Sequence, residues 1–272
     1  MPENVKKEYD SLWHKFGWAT HNDSYFLKFQ KKWFLNRFNL DQDSFQKLIK
    51  NKNVIEIGTG SGAFLKNLKT AKKAIGIDIS DTGINIASKI YENDKNIILI
   101  KEDLFKYDGR PLKLYDVVIA DQMLHHTKNT FKALEKSVNL VKPNGIIMFY
   151  VYKKKTSLRE FTDSFTRFFT TKMPKKWCMN FAKLTCKLGE VLSKKNLKLQ
   201  RWIYWNIIKC FWNENFTYEN NLRVNFDWYY PKIANRHTIK EVNSWIENLN
   251  LKTKSITIGR SGISIRARKC YP

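Results

Sequence analysis

The sequence is poor in cysteine, and its few cysteines are not spaced for a metal or a disulfide framework. The 272 residues include 4 cysteines, and no two of them form a C-x-x-C pair. They are Cys178, Cys186, Cys210 and Cys270. This spacing favours neither a zinc site nor a stapled secreted domain. We therefore expect reduced thiols, as in a cytosol, and no bound metal.

Long apolar runs are also missing. The longest, residues 145–152, is far shorter than the roughly 20 residues that a membrane-spanning helix needs. The first residues, M-P-E-N, lack the apolar core of a signal peptide. We expect a cytoplasmic protein, with peripheral contact at the inner face of the membrane as a further option.

Acidic residues are scarce. The chain has 25 Asp and Glu against 49 Lys and Arg, a net charge of +24. The excess is uneven, because residues 151–210 hold 15 basic and 3 acidic residues. One interpretation is an anionic partner: a phosphorylated acceptor, a membrane surface or RNA. The other is compositional drift in a chain rich in Lys and Asn throughout. Both stay open from the sequence.

Residues 54–152 alternate between short apolar runs and segments with helical spacing. Strands are predicted at 54–57, 74–79, 97–100, 116–120 and 146–151. Ser80 is expected to cap the helix after the second strand, and K-P-N-G at 142–145 predicts a turn before the fifth. Repeated strand–helix units predict a parallel sheet with helices on both faces.

A glycine turn follows the first predicted strand. It has glycines at alternate positions, followed by apolar residues at 64, 65 and 68 that favour a helix. Its three glycines are Gly58, Gly60 and Gly62. Glycine lets backbone N–H groups approach a ligand that a side chain would block. With Ala63 and Asp78 the turn also fits a dinucleotide pattern, which stays an alternative at this point.

Acidic residues come at or just after four of the predicted strands. They are Glu56, Asp78, Asp103 and Asp121. The carboxyl ends of parallel strands meet at one edge of the sheet, so we expect these carboxylates to converge on one crevice. Glu56 lies two residues before the first glycine, where it would be unfavourable beside a pyrophosphate. The acids suit a ligand that offers positive or hydrogen-donor groups.

The segments on either side of this core are predicted to be mainly helical. Residues 1–50 carry aromatic residues at helical spacing, with Asp23 or Ser24 as a cap, and form either a lid or simple packing. Residues 153–237 form a helical insertion whose apolar stripes are expected to pack on the domain. Alternatively, one face lies on a membrane or encloses an apolar acceptor. Residues 238–272 complete the core with a helix capped by Thr238 and a β-hairpin.

With these segments in place, the chain resembles the class I S-adenosylmethionine-dependent methyltransferases. The resemblance rests on E-I-G-T-G-S-G, G-I-D-I-S, E-D-L, D-V-V-I-A-D-Q-M-L-H-H and L-V-K-P-N-G, in that order. It implies a Rossmann-like α/β fold with a seven-stranded, mostly parallel sheet and an antiparallel last strand. It also implies S-adenosyl-L-methionine as the cofactor, bound by the core at 51–152. That cofactor carries a sulfonium and an ammonium cation and no phosphate, which agrees with a cluster of carboxylates.

The resemblance assigns cofactor-binding roles to matched positions. The glycines would close on the methionine part, Glu56 would lie near its amino group, and Asp78 would accept hydrogen bonds from the ribose hydroxyls. Asp103 would bind the adenine amino group, and Asp121 would line the sulfonium side. The full implied set is Glu56, Gly58, Thr59, Gly60, Gly62, Asp78, Ile79, Asp103, Leu104, Asp121 and Gln122.

A looser similarity to a subgroup acting on small molecules or glycans rests on D-W-Y-x-P at 227–231 and on His237-Thr238. Methyl transfer needs a general base only when the acceptor is a hydroxyl or a similar protonated group. The candidates are His125, His126, His237, Asp227 and Tyr229. Each could instead have a local structural role, and the sequence does not choose among them.

The favoured acceptor is a small molecule, a glycan or a lipid-linked compound, methylated at oxygen and bound by residues 153–237. The N-P-P-Y-type signature of nucleic-acid amino methylation is absent after the fourth strand, where D-Q-M-L stands. Two alternatives remain. One is an RNA methyltransferase with the basic insertion as its platform. The other is a catalytically inactive protein that binds the cofactor and acts as a scaffold.

Overall fold

The computed structural model describes residues 3–155 and 157–270, without the side chains of Asn4 and Ser157. Within that part there are eight strands. They are β1 (Asn53–Ile57), β2 (Lys73–Asp78), β3 (Ile97–Lys101), β4 (Tyr115–Ala120), β5 (Val141–Lys153), β6 (Arg236–His237), β7 (Leu251–Ile258) and β8 (Gly262–Lys269). All of them belong to one sheet.

The same residues form ten α-helices. They are α1 (Glu3–Asn22), α2 (Ser24–Arg37), α3 (Gln42–Ile49), α4 (Asp81–Ile90), α5 (Thr130–Asn139), α6 (Ser157–Thr170), α7 (Lys175–Lys195), α8 (Leu197–Asn206), α9 (Tyr218–Tyr229) and α10 (Ile239–Asn248). The predicted caps are present: the Asp23 carboxylate accepts from Phe26 N, Ser80 caps α4, and Thr238 forms a capping box with Glu241. No helix among the described residues is long and apolar enough to cross a bilayer.

The strand order is β3-β2-β1-β4-β5-β8-β7. The first five strands of this order are parallel to their neighbours, whereas β8 is antiparallel to both β5 and β7. This confirms the predicted α/β fold with its antiparallel last strand. The two-residue β6 is additional: it pairs with the end of β5 and comes from the segment predicted as a helical insertion.

Both faces of the central strands β1, β2 and β4 are buried, as their continuous apolar sequences predict. Successive residues of β1 serve opposite faces, because side chains alternate along a strand. Ile55 and Ile57 belong to one buried cluster, together with Val118 and Phe149. Val54 belongs to another, on which helices α2 and α3 pack. This core holds the carboxyl ends of β1, β2, β3 and β4 side by side.

Two local predictions were wrong. The helix predicted after the glycine turn is a single 3₁₀ turn, Leu65–Leu68. Lys72 N already donates to Lys52 O (2.9 Å), so the chain is back beside the start of β1 and has no length left for a helix. K-P-N-G lies inside β5 as a bulge: Tyr115 pairs with Val141 but Val117 pairs with Ile146. The backbone of Asn144 adopts a positive φ of 62° to accommodate the extra residues.

The chain divides into two compact units. The first comprises Met1–Gly17, Leu27–Lys154 and Ile233–Pro272 and contains the whole sheet. The second, called the helical unit below, comprises Trp18–Phe26 and Lys155–Lys232 and contains α6, α7, α8 and α9. The predicted boundaries at residues 50, 152 and 237 remain a prediction.

Candidate active site

The glycine turn after β1 has a backbone that its glycines make possible. Gly58, Gly60 and Gly62 have φ values of 78°, 55° and 78°, which side chains rarely tolerate. A Cβ on Gly58 would lie 2.6 Å from Cβ of Met123. Gly58 N also donates to Ile77 O (2.8 Å), which ties the turn to β2. The turn is therefore a fixed structure at the end of the first strand.

The four predicted carboxylates do converge. Glu56 lies in β1 and Asp78 at the end of β2, while Asp103 and Asp121 follow β3 and β4. These strands are neighbours in the order β3-β2-β1-β4, so their ends line one edge of the sheet. The structure thus brings together the acids that the sequence had spread over 66 positions, from 56 to 121 inclusive.

Two of the acids are held by backbone N–H groups. Asp78 accepts from Gly60 N at Oδ2 and from Ser80 N at Oδ1, both at 2.8 Å. Asp103 accepts from Phe105 N at Oδ1 (3.0 Å). Asp78 therefore joins the glycine turn to the residue that caps α4.

The edge of the sheet that carries these four acids, called the acidic edge below, has little compensating positive charge. The pKa of Glu56 is raised to about 8, chiefly by burial and to a smaller extent by the carboxylates of Asp121 and Asp78, while a hydrogen bond from Thr59 Oγ1 (2.7 Å) acts in the opposite direction. Burial also raises the pKa of Asp78 and of Asp121. Raised carboxyl pKa values mean that the ionised forms are incompletely stabilised. A cationic ligand would supply that stabilisation, whereas a phosphate would be repelled.

Three further predicted cofactor residues lie beside these acids in the chain. Leu104 is buried and Ile79 is half-buried. Gln122 has a φ of 58°, a left-handed conformation that is uncommon for residues other than glycine. Such backbone strain is concentrated at functional sites, where the surrounding structure maintains it.

Arg37 belongs to the same site, and the sequence analysis missed it. Its Nη2 lies 2.6 Å from Oδ2 of Asp121, and both side chains are largely buried. The guanidinium carbon is 3.7 Å from the ring centre of Trp33 and 4.7 Å from that of Tyr150. Trp33 and Arg37 are four residues apart on α2, a spacing that could have suggested the stacking. Nothing in the sequence pointed to Asp121 as the partner.

Helix α1 covers the glycine turn. The Trp13 ring lies where a side chain on Gly60 would project, 2.1 Å from the position of its Cβ. Asp10 Oδ1 accepts from Ser80 Oγ (2.7 Å) and Thr82 N (3.0 Å). The N-terminal extension is thus anchored beside the acidic edge, as either a lid or simple packing would require.

His125 and His126 follow β4 in a short 3₁₀ turn. His125 is fully buried and stacks on Tyr152 with 3.7 Å between ring centres; burial holds its pKa well below the usual value. His126 Nδ1 lies 2.7 Å from the carbonyl oxygen of Ile233. A carbonyl can only accept, so Nδ1 carries the proton and Nε2 is the basic nitrogen of neutral His126.

His237 lies in β6, in the same unit as the other two histidines. Its Nε2 is 3.0 Å from Oγ1 of Thr130, and its Nδ1 is 3.9 Å from a carboxylate oxygen of Glu241. The ring also packs against Trp245. Burial lowers the pKa of His237, so it is neutral near pH 7.

The last two predicted catalytic residues lie in α9, in the helical unit. The Tyr229 hydroxyl is buried and donates to Lys209 O, and burial raises its pKa. Asp227 is half-buried, and it stands within a helix, not in a turn. Tyr229 is therefore a poor proton acceptor, whereas Asp227 stays a candidate.

Comparison with known proteins agrees with this geometry. Residues 34–252 match the family described as a methyltransferase domain, and the chain belongs to that family. It is a class I S-adenosylmethionine-dependent methyltransferase domain, which confirms the resemblance and the cofactor predicted from the sequence. The acids and the glycine turn fit a donor that is cationic and free of phosphate.

The curated relatives match only part of their own length. The ribosomal RNA small subunit methyltransferase A of Mycoplasmopsis pulmonis is 34% identical over 94 residues, which are 32% of this chain and 37% of that protein. The ubiquinone biosynthesis O-methyltransferase of Shewanella halifaxensis is 24% identical over 101 residues, 36% of this chain and 42% of that protein. The chain thus spans about two fifths of the length of these relatives.

Solved structures share the fold along nearly the whole chain. The N-methyltransferase NodS of Bradyrhizobium japonicum, in complex with S-adenosyl-L-homocysteine, aligns over 96% of this chain and 98% of its own, with a TM-score of 0.53 and 13% identity. A putative methyltransferase in complex with the Haloferax volcanii Trm112 activator aligns over 98% of both chains, with a TM-score of 0.55 and 13% identity. At such low identity the likeness supports the fold alone.

Proposed function

We propose that the protein transfers the methyl group of S-adenosylmethionine to an oxygen atom of a small-molecule, glycan or lipid-linked acceptor. The observation that carries the proposal is the set of buried and half-buried carboxylates around the glycine turn, where positive charge is scarce and the pKa of Glu56 rises to about 8. A sulfonium donor with an ammonium group matches this charge, and a nucleotide phosphate does not.

The residues proposed to hold the donor are those that the family resemblance implies, with Arg37 added. Glu56 would accept from the ammonium group, Asp78 from the ribose hydroxyls and Asp103 from the adenine amino group. Asp121 would line the methionine side, where Arg37 adds a cation. Arg37 Nη1 is buried without a hydrogen-bond partner in the described part of the chain. It can therefore donate to the carboxylate of the methionine part.

Bound S-adenosylmethionine supplies a methyl group on an excellent leaving group. The chain's own contribution is to align the acceptor atom and to exclude water. A hydroxyl acceptor must also lose a proton to a base. We propose His126 for this role, because its Nδ1 is fixed by the Ile233 carbonyl and Nε2 is left basic. His125, His237 and Asp227 remain the other candidates, whereas the buried Tyr229 hydroxyl, which donates to Lys209 O, is the least suited to the role.

Two observations bear on the acceptor. The similarity to a ubiquinone biosynthesis O-methyltransferase supports oxygen as the methylated atom. The charge of residues 151–210, with 15 basic against 3 acidic residues, supports an anionic or lipid-linked acceptor recognised by the helical unit. The same charge, with the similarity to a ribosomal RNA methyltransferase, supports RNA as the alternative acceptor.

The test is transfer of a tritiated methyl group from S-adenosylmethionine into fractions of a cell extract. The fractions are lipids, polysaccharides, small molecules, RNA and protein, and Asp78→Ala serves as the control lacking donor affinity. We expect label in one of the first three, in a form that resists conditions cleaving methyl esters. Label that ribonuclease releases would establish the RNA alternative. Cofactor binding without label in any fraction would indicate a scaffold protein.

A further inference from the structure

Helix α6 presents its apolar side chains to solvent. Phe161 is 67% exposed and Phe165 59%, and Leu158 and Phe168 are exposed as well. Their spacing of three and four residues puts all four on one face of the helix. The rings form a continuous row, since Phe161 and Phe165 stack at 6.2 Å between centres and Phe165 contacts Phe169 at 5.1 Å.

The opposite face of α6 is polar and buried. Asp163 lies 2.6 Å from Nζ of Lys155 and 2.6 Å from Nη2 of Arg159, and all three side chains are almost completely buried. Thr170 Oγ1 donates to Tyr229 O (3.1 Å). Arg167 also faces this side and donates to the carbonyl oxygens of Trp228 and Pro231.

This arrangement is the reverse of a surface helix in a soluble protein, which buries its apolar stripe and exposes its polar side chains. The hydrogen bonds from Arg167 and Thr170 to the carbonyl oxygens of Trp228, Tyr229 and Pro231 fix the rotation of α6, because turning the helix would break them. Turning would also bring the ion pairs of Asp163 out of the interior. The packing of the helical unit therefore fixes these phenylalanines in an exposed position. An exposed apolar row of this size marks an interaction surface.

Basic residues adjoin the apolar row. Lys172, Lys175 and Lys176 are exposed in the turn after α6 and the first turn of α7. Lys172 Nζ lies 3.5 Å from the ring centre of Phe168. Trp177 follows and is 69% exposed. We call the surface formed by α6 and residues 172–177 the apolar–basic face.

We propose that the apolar–basic face binds the surface of an anionic lipid bilayer. Helices that lie in the membrane interface combine phenylalanine, leucine and tryptophan with neighbouring lysines. Their apolar side chains enter the boundary of the acyl chains, and their lysines contact anionic headgroups. Tryptophan is enriched at that interface. RNA bases could stack on phenylalanine rings, but here Phe161 and Phe165 stack on each other, and the exposed Leu158 on the same face offers a base nothing to stack on. The proposal goes beyond the proposed function and does not rest on it.

Sedimentation with phospholipid vesicles tests the proposal on the full chain. The vesicles contain either phosphatidylcholine alone or phosphatidylcholine mixed with phosphatidylglycerol. We expect the protein to sediment with the anionic vesicles and to bind the neutral ones about tenfold more weakly, because the lysines contribute only at anionic headgroups. Equal binding to both, or binding to neither, would overturn the proposal.

Variants separate the two parts of the face. F161S/F165S/F168S removes the apolar row, and K172E/K175E/K176E reverses the charge. Each is expected to weaken binding to anionic vesicles about tenfold or more. The matched controls lie in the other unit. I256S/I258S removes two exposed isoleucines of β7, and K240E/K252E/K254E reverses three exposed lysines. Both controls are expected to bind vesicles as the unmodified protein does.

The remaining outcomes also decide the matter. Should F161S/F165S/F168S fail to fold, as judged by circular dichroism, the single variant F165S replaces it and is expected to weaken binding several-fold. Vesicle binding unchanged in the folded apolar variants would refute the proposal. Self-association without lipid that those variants abolish would make the face a contact between copies. RNA binding lost in K172E/K175E/K176E alone would point to nucleic acid.

Discussion

The surroundings of Glu56 determine whether its carboxyl group is protonated. It is buried beside Asp121 and Asp78, and a hydrogen bond from Thr59 opposes the resulting rise of its pKa to about 8. Without a bound cation, the protein therefore holds Glu56 mostly protonated at neutral pH. Binding of the positively charged donor favours the ionised form and releases that proton.

This charge state makes stability depend on pH. The pKa of Glu56 is about 8 in the folded protein against an ordinary value of 4.5, so the folded state binds the extra proton between these values. The stabilisation that this proton contributes is fully present below pH 4.5 and is lost as the pH rises through about 8. Glu56→Gln removes the titration. Between pH 6 and pH 8 the unmodified protein should lose about 2 kcal/mol of unfolding free energy through this titration, and Glu56→Gln should not.

Urea denaturation of the two proteins at several pH values, without cofactor, measures this difference. Other raised carboxyl pKa values, such as those of Asp78 and Asp121, are shared by both proteins and largely cancel. Parallel stability curves from pH 6 to pH 8 would contradict the assignment.

Arg37 and Asp121 form the second residue-scale test. Both are largely buried, with 2.6 Å between Nη2 and Oδ2. Removing one partner leaves the other charge buried, which costs about 3 kcal/mol, whereas removing both leaves no such charge. Arg37→Met and Asp121→Leu should each destabilise the protein by that order. The double variant should lose clearly less than the sum, as a double-mutant cycle of unfolding free energies would show. Additive losses would mean that the ion pair contributes nothing.

These residues also show what the sequence can reveal at this scale. Glu56, Asp78, Asp103 and Asp121 could be predicted to converge because each lies at the end of a strand, and strand ends meet by topology. Arg37 could not, since it lies 84 positions from Asp121 on a helix whose pattern records packing only. A pair formed by two distant segments leaves no local signal.

Among the helices, α6 shows what the hydrophobic periodicity of a sequence does not reveal. Its spacing correctly grouped Leu158, Phe161, Phe165 and Phe168 on one face. The prediction that this face packs on the domain was wrong, because it is exposed. A hydrophobic pattern identifies which residues share a face but not which face is covered. Here the hydrogen bonds of Arg167 and Thr170, on the other face, to carbonyl oxygens of residues 228–231 determine the orientation.

The inverted helix predicts an unusual pattern of mutational effects. Asp163→Ala leaves Lys155 and Arg159 buried without their partner and should destabilise the protein by about 3 kcal/mol. Phe165→Ser changes an exposed ring and should alter stability by less than about 0.5 kcal/mol. Thermal or urea unfolding of both variants compares them directly. A larger loss for Phe165→Ser than for Asp163→Ala would show that the phenylalanine face is covered.

For the whole molecule, the order of strands and helices was predictable because each βα unit has its own apolar pattern. The sheet and its antiparallel β8 followed from these units and from the family resemblance. The division into two units was not predictable, because the helical unit combines residues 18–26 with residues 155–232, which are far apart in the sequence. Asp23 illustrates the reason: it caps α2 and also accepts from Thr217 N (2.9 Å), a contact that only the folded chain creates.

The most direct test of the account is calorimetric titration of the protein with S-adenosylmethionine, alongside Asp78→Ala and a control variant, Glu135→Ala. Glu135 is an exposed residue of α5. We expect one-to-one binding by the unmodified protein and by Glu135→Ala. Asp78→Ala should bind at least about tenfold more weakly, because it loses hydrogen bonds to a ligand at a buried site. Circular dichroism verifies that the variant is folded. Equal affinity in all three proteins, or heat with a dinucleotide and none with S-adenosylmethionine, would contradict the central claim.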